Sequence, residues 1–363
     1  MNFKISKKLF LENLIISDKA VSNTTPLPIL SCIKLTAENG QLELLSSDSN
    51  ISIKTVIKDS LEIMDEGEIA VEAKNLLEIV RKIDAEYVIF EVIDGTLIKI
   101  YGGSSEFKIN GFRASDFPNI SFKILNDSFT LKTDDFVDLV NKTSFACSDK
   151  EIKPALTGVN FDAKDGYLSV KASDSYRLAY KKIELDNQNF NITVPAKYLN
   201  EIAKTLVSDL VTISIDSQQI FFIFNDTIIK TRLLDDVFPD TSRLIRDDFS
   251  QILKVSARDL LNQLDRTSFI KGEGKTLVRL DIHSDRVDIT SSDTVGSFFG
   301  SMPVISFEGE PLKISCSCKY LQDAVRAINE EVVTICFSGE VKPMILKTED
   351  NNLIQLISPV RTY

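Results

Sequence analysis

The fold is indicated by one helical segment that occurs three times in the chain: AKNLLEIVRKI at 73–83, AKYLNEIAKTL at 196–206 and CKYLQDAVRAI at 318–328. Each copy has a lysine at its second position, and successive lysines are 123 and 122 residues apart. Apolar residues recur in each copy at the three- and four-residue spacing of an amphipathic helix. A segment repeated at one spacing predicts a chain built from tandem copies of one unit.

Two further marks repeat with the same period. The first is a polar motif with an aspartate: SSDS at 46–49, ASDS at 172–175 and SSDT at 291–294. The second is a proline near the end of each copy: Pro118, Pro239 and Pro359. A period of about 120 residues exceeds the roughly 20–50 residues of a solenoid repeat and matches a whole domain. We therefore expect three domains, at 1–122, 128–247 and 251–363, rather than two domains with one duplicated element.

The composition is that of a soluble globular protein. Of 363 residues, 43% are hydrophobic and 26% are charged, which argues against a disordered chain. No apolar run approaches the roughly 20 residues of a membrane helix, and the first twenty residues lack the apolar stretch of a signal peptide. The five cysteines are an odd number without a disulfide-scaffold pattern, so we expect a cytoplasmic protein. Cys316 and Cys318 are expected to pack in a core, since no second pair completes a zinc site.

The net charge is −11, from 42 basic and 53 acidic residues. This balance argues against a protein that covers nucleic acid with its whole surface. It allows a single cationic face, because the field depends on how charge is distributed as well as on its sum. The helical segments bear recurring cations at two positions: Lys74, Lys197 and Lys319, and Arg81, Lys204 and Arg326. Positions that are basic in all three copies favour a positive lining that contacts phosphates, although solvated helix faces also mix charges.

Each copy shows the same order of predicted elements. It opens with a helical pattern, as in DDFVDLVNKTSFACS at 134–148, where Phe136, Leu139 and Val140 lie on one stripe. Two alternating runs around the aspartate motif follow, as in YLSVKASDSYRLAYKKI at 167–183, and predict a β-hairpin. The repeated helical segment and two or three short strands complete the unit. The sequence thus predicts an α+β fold, repeated as α-β-β-α-β-β, with helices on one face and strands on the other.

No catalytic constellation is recognisable in the sequence. The single histidine, His283, lies in a strand-like stretch and is expected to be structural. The aspartate motif is expected to cap a turn, since Asp and Ser side chains accept local backbone hydrogen bonds. Gly102-Gly103 and Gly272/Gly274 match neither a P-loop nor a dinucleotide-binding fingerprint. We therefore expect a binding protein that uses no cofactor and no metal.

Short motifs along the whole chain resemble those of one family, the bacterial replicative sliding clamps, which are the β subunits of DNA polymerase III. The motifs are TTPLPILSCI at 24–33, FRASDFPN at 112–119, ALTGVNF at 155–161, ASDSYRLA at 172–179, VPAKYL at 194–199, VFPD at 237–240, CKYL at 318–321 and SPVR at 358–361. The resemblance implies the DNA-clamp fold, in which three domains of one topology form a half-ring. Two chains then close head to tail into a ring around duplex DNA, with helices lining the inside and β-sheets outside.

The resemblance also implies partners. A sliding clamp encircles double-stranded DNA without sequence preference and tethers the catalytic subunit of the replicative DNA polymerase. It also docks the clamp loader and repair proteins, whose short motifs bind as extended peptides with apolar anchors between domains II and III. The matching pocket positions are Leu156, Ser173, Ser175, Tyr176, Arg177, Leu178, Pro239, Arg243, Leu244, Ser317, Tyr320, Val341, Pro343, Ile357, Pro359, Val360 and Arg361.

Two other sets of positions match the family. The DNA-binding positions are Lys74, Arg81, Lys150, Lys153 and Lys197. The homodimer-interface positions are Ile79, Phe107 and Ile109 in the first repeat, and Phe269 and Ile270 in the third. The period of a strand places Phe107 and Ile109 on one face, and an edge strand can extend its sheet with another chain. Packing inside the domain is the alternative for each of these apolar residues.

Two other functions are compatible with the composition. Three tandem α+β domains could form an enzyme that hydrolyses nucleic acid, in which case the pure protein would show metal-dependent turnover. They could also form a scaffold that never meets DNA. Retention on circular DNA combined with loss from linear DNA distinguishes a clamp from such a scaffold.

Overall fold

The computed structural model describes residues 1–22, 27–124, 128–245, 247–270 and 276–361. A few residues singled out in the sequence lie outside these ranges: Thr24, Thr25, Pro26, Gly272 and Gly274. The α-helices in the described ranges are α1 (Lys7–Asp18), α2 (Ala73–Lys82), α3 (Thr133–Thr143), α4 (Ala196–Thr205), α5 (Ala257–Asp265) and α6 (Cys318–Ile328).

The strands follow the three repeats. The first repeat contains β1 (Asn2–Ser6), β2 (Cys32–Glu38), β3 (Gln41–Ser47), β4 (Ile51–Ile57), β5 (Leu61–Asp65), β6 (Gly67–Glu72), β7 (Tyr87–Asp94), β8 (Leu97–Gly102) and β9 (Ser105–Asn110). The second contains β10 (Ser128–Lys132), β11 (Gly158–Lys164), β12 (Tyr167–Ser173), β13 (Arg177–Glu184), β14 (Phe190–Pro195), β15 (Leu210–Ile215), β16 (Gln219–Phe224) and β17 (Thr227–Arg232). The third contains β18 (Gln251–Ser256), β19 (Leu277–Ile282), β20 (Arg286–Asp293), β21 (Gly296–Pro303), β22 (Ser306–Glu308), β23 (Leu312–Ser317), β24 (Val332–Phe337), β25 (Met344–Lys347) and β26 (Leu353–Ile357).

The elements recur in the predicted order, but each repeat has more strands than the sequence predicts. The three copies of the repeated helical segment form α2, α4 and α6. The aspartate motifs belong to antiparallel hairpins: β3–β4, β12–β13 and β20–β21. In the described ranges, four or five strands lie between the two helices of each repeat, where two were predicted, and a short strand (β1, β10 or β18) precedes the first helix. These first strands have only five or six residues, too few for alternation to stand out beside the helix that follows.

The first compact unit contains residues 1–136 and 201–233. Its five-stranded sheet has the order β5-β1-β7-β8-β9, and its eight-stranded sheet has the order β10-β15-β16-β17-β4-β3-β2-β6. Helix α1 packs on α2 and on strands β3 and β4, with Phe10 and Leu14 fully buried one turn apart. Phe3 of β1 stacks on Phe90 of β7 with ring centroids 5.0 Å apart. The amphipathic helices of this unit thus bury their apolar stripes against its sheets.

The second compact unit contains residues 137–200 and the residues from Leu234 onwards. Its nine-stranded sheet has the order β14-β11-β12-β13-β26-β25-β24-β18-β22, and its four-stranded sheet has the order β21-β20-β19-β23. Helix α6 packs on β23, β25 and β26, with Leu321 and Val325 buried four residues apart. A smaller apolar cluster is formed by four buried residues: Leu178, Ile345, Ile354 and Leu356. Ile245 and Phe249, in the segment between the second and third repeats, pack against it.

Strand pairing crosses the borders between repeats. Strand β4 of the first repeat pairs with β17 of the second, where the hydroxyls of Thr55 and Thr227 are 2.9 Å apart. Strand β13 of the second repeat pairs in the same way with β26 of the third. The strands that continue this series by position are β21, the equivalent of β4 and β13, and β9, the equivalent of β17 and β26. Both are the outermost strands of their sheets, so each has one edge without a strand neighbour in the described part of the chain.

Candidate functional site

The aspartate motif forms the same turn in the first and second repeats. Asp174 Oδ1 accepts hydrogen bonds from the backbone N–H groups of Tyr176 (2.9 Å) and Arg177 (3.1 Å). Asp48 Oδ1 accepts the equivalent two bonds in the first repeat, both at 2.9 Å. The expectation that this motif caps a turn is therefore confirmed in these two repeats. In the third repeat Asp293 Oδ1 instead accepts hydrogen bonds from the N–H and the hydroxyl of Thr294. In the second repeat, the turn determines where the chain enters β13 and thus where Arg177 lies.

Arg177 lies at the centre of a buried polar cluster in the second unit. Only 8% of the residue is exposed. Its Nε donates to Asp174 Oδ2 (3.2 Å) and its Nη1 to Asp323 Oδ2 (2.7 Å). Its Nη2 donates to the carbonyl of Phe145, and its guanidinium carbon lies 4.4 Å from the centre of the Tyr320 ring. Two carboxylates offset the cost of burying this cation, so Arg177 is held against Tyr320 in one position.

A cavity of about 450 Å³ opens beside this cluster. Four of the predicted pocket residues line it: Tyr176, Arg177, Ser317 and Tyr320. Ser317 caps helix α6, because its hydroxyl accepts a hydrogen bond from the Tyr320 N–H at 3.4 Å. Cys147 also lines the cavity, and burial raises the pKa of its thiol to about 12. At pH 7 Cys147 is therefore a neutral wall residue and not a nucleophile.

A second cavity lies along residues 358–361. The Ser358 N–H donates to the Tyr176 carbonyl and the Val360 N–H donates to the Ser315 carbonyl of β23, both at 2.8 Å. The cavity on the β23 side has a volume of about 480 Å³. Five further predicted pocket residues line it: Val341, Pro343, Pro359, Val360 and Arg361. Residues 358–361 therefore contact residues that line both cavities.

The other predicted pocket residues line neither cavity. Three are buried: Leu156, Leu178 and Ile357. Four are exposed: Ser175, Pro239, Arg243 and Leu244. The last, Ser173, is half-buried and its hydroxyl donates to the Arg177 carbonyl at 2.7 Å. Leu156 and Leu178 are thus packed in the interior, as most buried leucines are.

The predicted DNA-binding residues are all exposed cations: Lys74 and Arg81 on α2, Lys197 on α4, and Lys150 and Lys153 in the segment after α3. Within the described residues, none of the five forms an ion pair. Their neighbour Lys82, by contrast, pairs with Glu78 at 3.6 Å. Exposed cations without a carboxylate partner are free to contact phosphates.

The two recurring basic positions differ in this respect. The lysine position, Lys74 in the first repeat, is exposed in all three repeats. At the second position Lys204 pairs with Glu201 at 3.0 Å and Arg326 pairs with Asp265 at 3.4 Å, whereas Arg81 lies within electrostatic reach of Asp18. Within the described residues, the lysine position is therefore the one that forms no ion pair in any repeat.

The predicted dimer-interface residues differ in burial. Ile79 and Ile270 are 8% and 2% exposed, so both are covered by their own chain. Phe107 and Ile109 of β9 are half-buried and pack against the core of the first unit. Phe269 is 53% exposed. Of the predicted interface residues, Phe269 thus has the most exposed apolar surface, and the two isoleucines have little.

The remaining candidate groups have local partners. His283 Nε2 lies 3.4 Å from Asp281 Oδ1 and 3.5 Å from Asp288 Oδ2, as suits a structural residue of the β19–β20 hairpin.

Across the described ranges, no group of three or more His, Cys, Asp or Glu side chains is arranged to hold a metal ion. None of the helices described combines the length and the hydropathy needed to cross a membrane.

Comparisons with known proteins assign the family. Models of the DNA polymerase III beta subunit match the chain in three parts: the N-terminal domain at 1–121, the central domain at 130–240 and the C-terminal domain at 242–361. A Bacillus subtilis protein named "Beta sliding clamp" is 34% identical over 378 residues, covering 100% of both chains. The crystal structure of the DNA polymerase sliding clamp from Bacillus subtilis matches with a TM-score of 0.95 at 34% identity over 100% of both chains. The DNA polymerase III beta chain from Streptococcus pneumoniae also gives 0.95, at 31% identity over 99% of this chain and 100% of that one.

Three α+β repeats joined by continuous sheets define a protein of the DNA-clamp class. The chain belongs to the DNA polymerase III β subunit family, the bacterial sliding clamps. Members of this family are processivity factors in DNA replication and not enzymes, so the chain is a DNA sliding clamp without a catalytic role. The hypothesis of a nucleic-acid hydrolase is therefore set aside.

Some residues at or beside the two cavities were not predicted from the sequence: Asp323, Arg279 and Lys313. Asp323 binds Arg177, and a local signal for it existed, since residues three apart on a helix share a face and Asp323 follows Tyr320 by three. Arg279 and Lys313 line the second cavity. They had no such signal, because they reach the cavity through pairing of β19 with β23.

Proposed function

We propose that this clamp is a head-to-tail homodimer that encircles double-stranded DNA. The observation that carries this proposal is the pair of open strand edges. At both internal borders the β4-type strand of one repeat pairs with the β9-type strand of the next. In the described part of the chain only β21 and β9 lack this partner. A second copy supplies it, with β21 of each chain beside β9 of the other, and a dimer with twofold symmetry then closes into a ring of six repeats.

The charges fit a ring that slides on DNA. The chain as a whole carries −11 and repels nucleic acid, whereas Lys74, Arg81, Lys150, Lys153 and Lys197 are exposed and unpaired among the described residues. Such cations attract phosphates without reading bases. The attraction is screened over about 8–10 Å at physiological salt, so it centres the duplex without fixing it. We also propose the domain boundaries 1–122, 128–247 and 251–363 and action in the cytoplasm.

The partner proteins would dock at the two cavities of the second unit. Tyr176, Arg177, Ser317 and Tyr320 surround the first cavity, and Val341, Val360 and Arg361 line the second. Apolar walls beside a fixed arginine suit short extended peptides with a few apolar anchors. The proposed ligands are the motifs of the replicative polymerase, the clamp loader and repair proteins.

The ring is tested by sedimentation and by DNA release. Analytical ultracentrifugation at micromolar concentration should give a dimer, and a stable monomer would contradict the proposal. Protein loaded on circular plasmid by its clamp loader should stay bound through gel filtration and should leave when one restriction cut makes the plasmid linear. Equal retention on circular and linear DNA would indicate a DNA-binding protein that does not encircle its ligand.

A further inference from the structure

The two internal borders between repeats have the same strand register. Ile53 of β4 lies opposite Ile229 of β17, and Ala179 of β13 lies opposite Gln355 of β26. Ile53 and Ala179 are equivalent positions, since each pairs within its own hairpin with the residue two before the turn aspartate. Ile229 and Gln355 are each the third residue of their strand. The border between repeats is therefore built in the same way twice.

The same two positions exist at the open edges. Phe298 of β21 pairs with the residue two before Asp293, and it is thus the equivalent of Ile53. Phe107 is the third residue of β9. It is the equivalent of Ile229, because the β8–β9 and β16–β17 hairpins both have two-residue turns. The internal register therefore places Phe298 opposite the partner's Phe107 when β21 pairs with β9 of a second chain.

The surroundings of this pair are apolar on both strands. Phe298 packs against the core of the third repeat, and Phe107 packs against the core of the first. Two residues further along, the same register places Gly296 opposite the partner's Ile109, and the ring of Phe269 is next to Gly296. The inner face of the junction thus brings aromatic and aliphatic side chains of both chains together.

The sheet face that points away from the helices, the outer face, is covered at each internal border by the segment that joins the two repeats. At the first border the centre of the Phe122 ring lies 5.7 Å from Lys54 Nζ and 5.2 Å from Lys230 Nζ. At the second border Ile245 and Phe249 pack on the smaller apolar cluster of the second unit. Two separate chains have no joining segment, so the outer face of their junction depends on the strands alone.

Phe299 is placed to cover that face. It is 69% exposed, and the period of a strand points it to the outer face of β21. In the shared register Phe299 takes the position of Lys54, and Lys108 of β9 takes the position of Lys230. Lys54 and Lys230 are the two lysines that contact the Phe122 ring. At the junction the corresponding diagonal pair is Phe299 and the partner's Lys108, which is within reach of a cation–π contact.

We propose that β21 pairs with the partner's β9 in the register of the internal borders, and that Phe299 covers the outer face of this junction in place of a joining segment. The proposal rests on the homodimer proposed above and adds which residues meet. Strand β21 has the sequence GSFFGSMP, without a charged residue. Its side of the junction therefore contributes aromatic and apolar surface rather than ion pairs.

The pair at the centre of the junction has a geometry that suits a disulfide. At the first border the Val56 N–H donates to the Asp226 carbonyl at 3.1 Å. By alternation along the ladder, Ile53 and Ile229 form a non-hydrogen-bonded pair, in which the Cα atoms are about 4.5 Å apart. Phe298 and the partner's Phe107 are the equivalent pair, and this separation lies within the range that a disulfide spans.

The register is tested by cross-linking the full-length dimer. The double variant Phe298→Cys/Phe107→Cys should form a covalent dimer on mild oxidation, visible on a non-reducing gel and reversed by dithiothreitol. The matched controls combine Phe298→Cys with Ser105→Cys or with Ile109→Cys, since these positions lie on the same face about 7–8 Å away. The wild type should remain as single chains, because four of its five cysteines are buried and Cys147 is half-buried.

The role of Phe299 is tested by the dissociation constant of the dimer, measured by sedimentation. Phe299→Ser should raise the Kd about tenfold, because an aromatic contact is lost at both junctions. Lys108→Gln should raise it less, and the variant with both changes should be no weaker than Phe299→Ser alone, as for residues in contact. Tyr167→Ser is the matched control and should leave the Kd unchanged. Tyr167 is also an exposed aromatic residue, but its strand β12 has neighbours on both sides.

The outcomes separate this proposal from the homodimer itself. A wild type that sediments as a monomer overturns both. A wild-type dimer in which Phe298→Cys does not cross-link with Phe107→Cys, or cross-links equally in the two control combinations, overturns the register and leaves the ring standing. An unchanged Kd in Phe299→Ser, or an equal rise in Tyr167→Ser, overturns the role of Phe299. Cross-linking through Phe107→Cys alone, together with a rise in Kd that is specific to Phe299→Ser, supports the proposal.

Discussion

Nη1 of Arg177 lies 2.7 Å from Oδ2 of Asp323, although the two residues are 146 positions apart in the chain. Arg177 begins β13 in the second repeat, and Asp323 lies on α6 in the third. The contact connects two repeats through side chains, in addition to the backbone pairing of β13 with β26. It also holds the guanidinium against Tyr320, which lines the first cavity.

Removing the Asp323 carboxylate should destabilise the protein and weaken peptide binding. Asp323→Ala leaves Arg177, which is 8% exposed, with one carboxylate in place of two. We expect the free energy of unfolding to fall by about 2 kcal/mol, since the buried guanidinium loses one charge-assisted hydrogen bond and part of its compensating negative charge. Urea unfolding measures this change, and fluorescence anisotropy with a labelled peptide from the docking motif of the replicative polymerase measures the loss of affinity.

The control for Asp323 is Asp265→Ala, which breaks an exposed ion pair in the same repeat. Asp265 is 3.4 Å from Arg326, and both side chains are more than half exposed. Surface pairs of this kind contribute about 0–1 kcal/mol. Equal losses of stability in the two variants would contradict the role assigned to the Arg177–Asp323 pair.

The turn aspartate of the second repeat has a role beyond its turn. Asp174 accepts two backbone N–H groups, as Asp48 does in the first repeat, and it also binds the buried guanidinium of Arg177. Asp174→Asn keeps an oxygen that accepts the two backbone hydrogen bonds but removes one charge from the buried cluster. We expect the free energy of unfolding to fall by about 1–2 kcal/mol. Chemical unfolding measures this loss, and a variant as stable as the wild type would refute it.

Reversing exposed cations should impair retention on DNA. A double variant with Lys150→Glu and Lys197→Glu replaces two unpaired exposed cations by anions. Its half-life on circular plasmid should fall several-fold below that of the wild type at 50 mM salt, and the two should converge at high salt. Lys164→Glu, at a side chain that is 71% exposed, is the control with one reversed charge elsewhere. A half-life unchanged by the double variant would show that these lysines do not face DNA.

The buried thiols should make stability fall in alkaline solution. Burial raises the pKa of Cys147 and of Cys316 to about 12 in the folded chain, whereas an exposed thiol ionises at about 8.5. Above about pH 9 the unfolded chain therefore releases these protons and the folded chain keeps them. The free energy of unfolding then falls as pH rises, by up to about 1.4 kcal/mol per pH unit for each thiol. Cys147→Ala should reduce this slope between pH 9 and 11 in urea titrations, and an unchanged slope would argue against burial as the cause.

Local patterns in the sequence predicted most of the elements. The spacing of Phe136, Leu139 and Val140 is a helical stripe, and all three are fully buried. The aspartate motif was assigned to a turn because its hydrogen bonds are formed within a few residues, as those of Asp174 are.

Contacts between repeats cannot be predicted from such local patterns. The Arg177–Asp323 pair depends on how two repeats pack, and no periodicity encodes that. The burial of Ile79 and Ile270 does not follow from the sequence for the same reason, because an apolar residue on a helix or turn can face its own core or a partner. The position of Arg279 at the second cavity follows from strand register, which a single sequence does not give.

The two compact units of this chain do not coincide with its three repeats. Pairing of β17 with β4 and of β26 with β13 divides the middle repeat, so that residues 201–233 belong with the first repeat and residues 137–200 with the third. Heat or denaturant should accordingly unfold the chain in two blocks, each made of one outer repeat and part of the middle repeat. Each block should have its own pattern of amide-exchange protection. Cutting the gene at the duplication points would split both sheets, whereas the stable fragments would have to be assembled from stretches that are discontinuous along the chain.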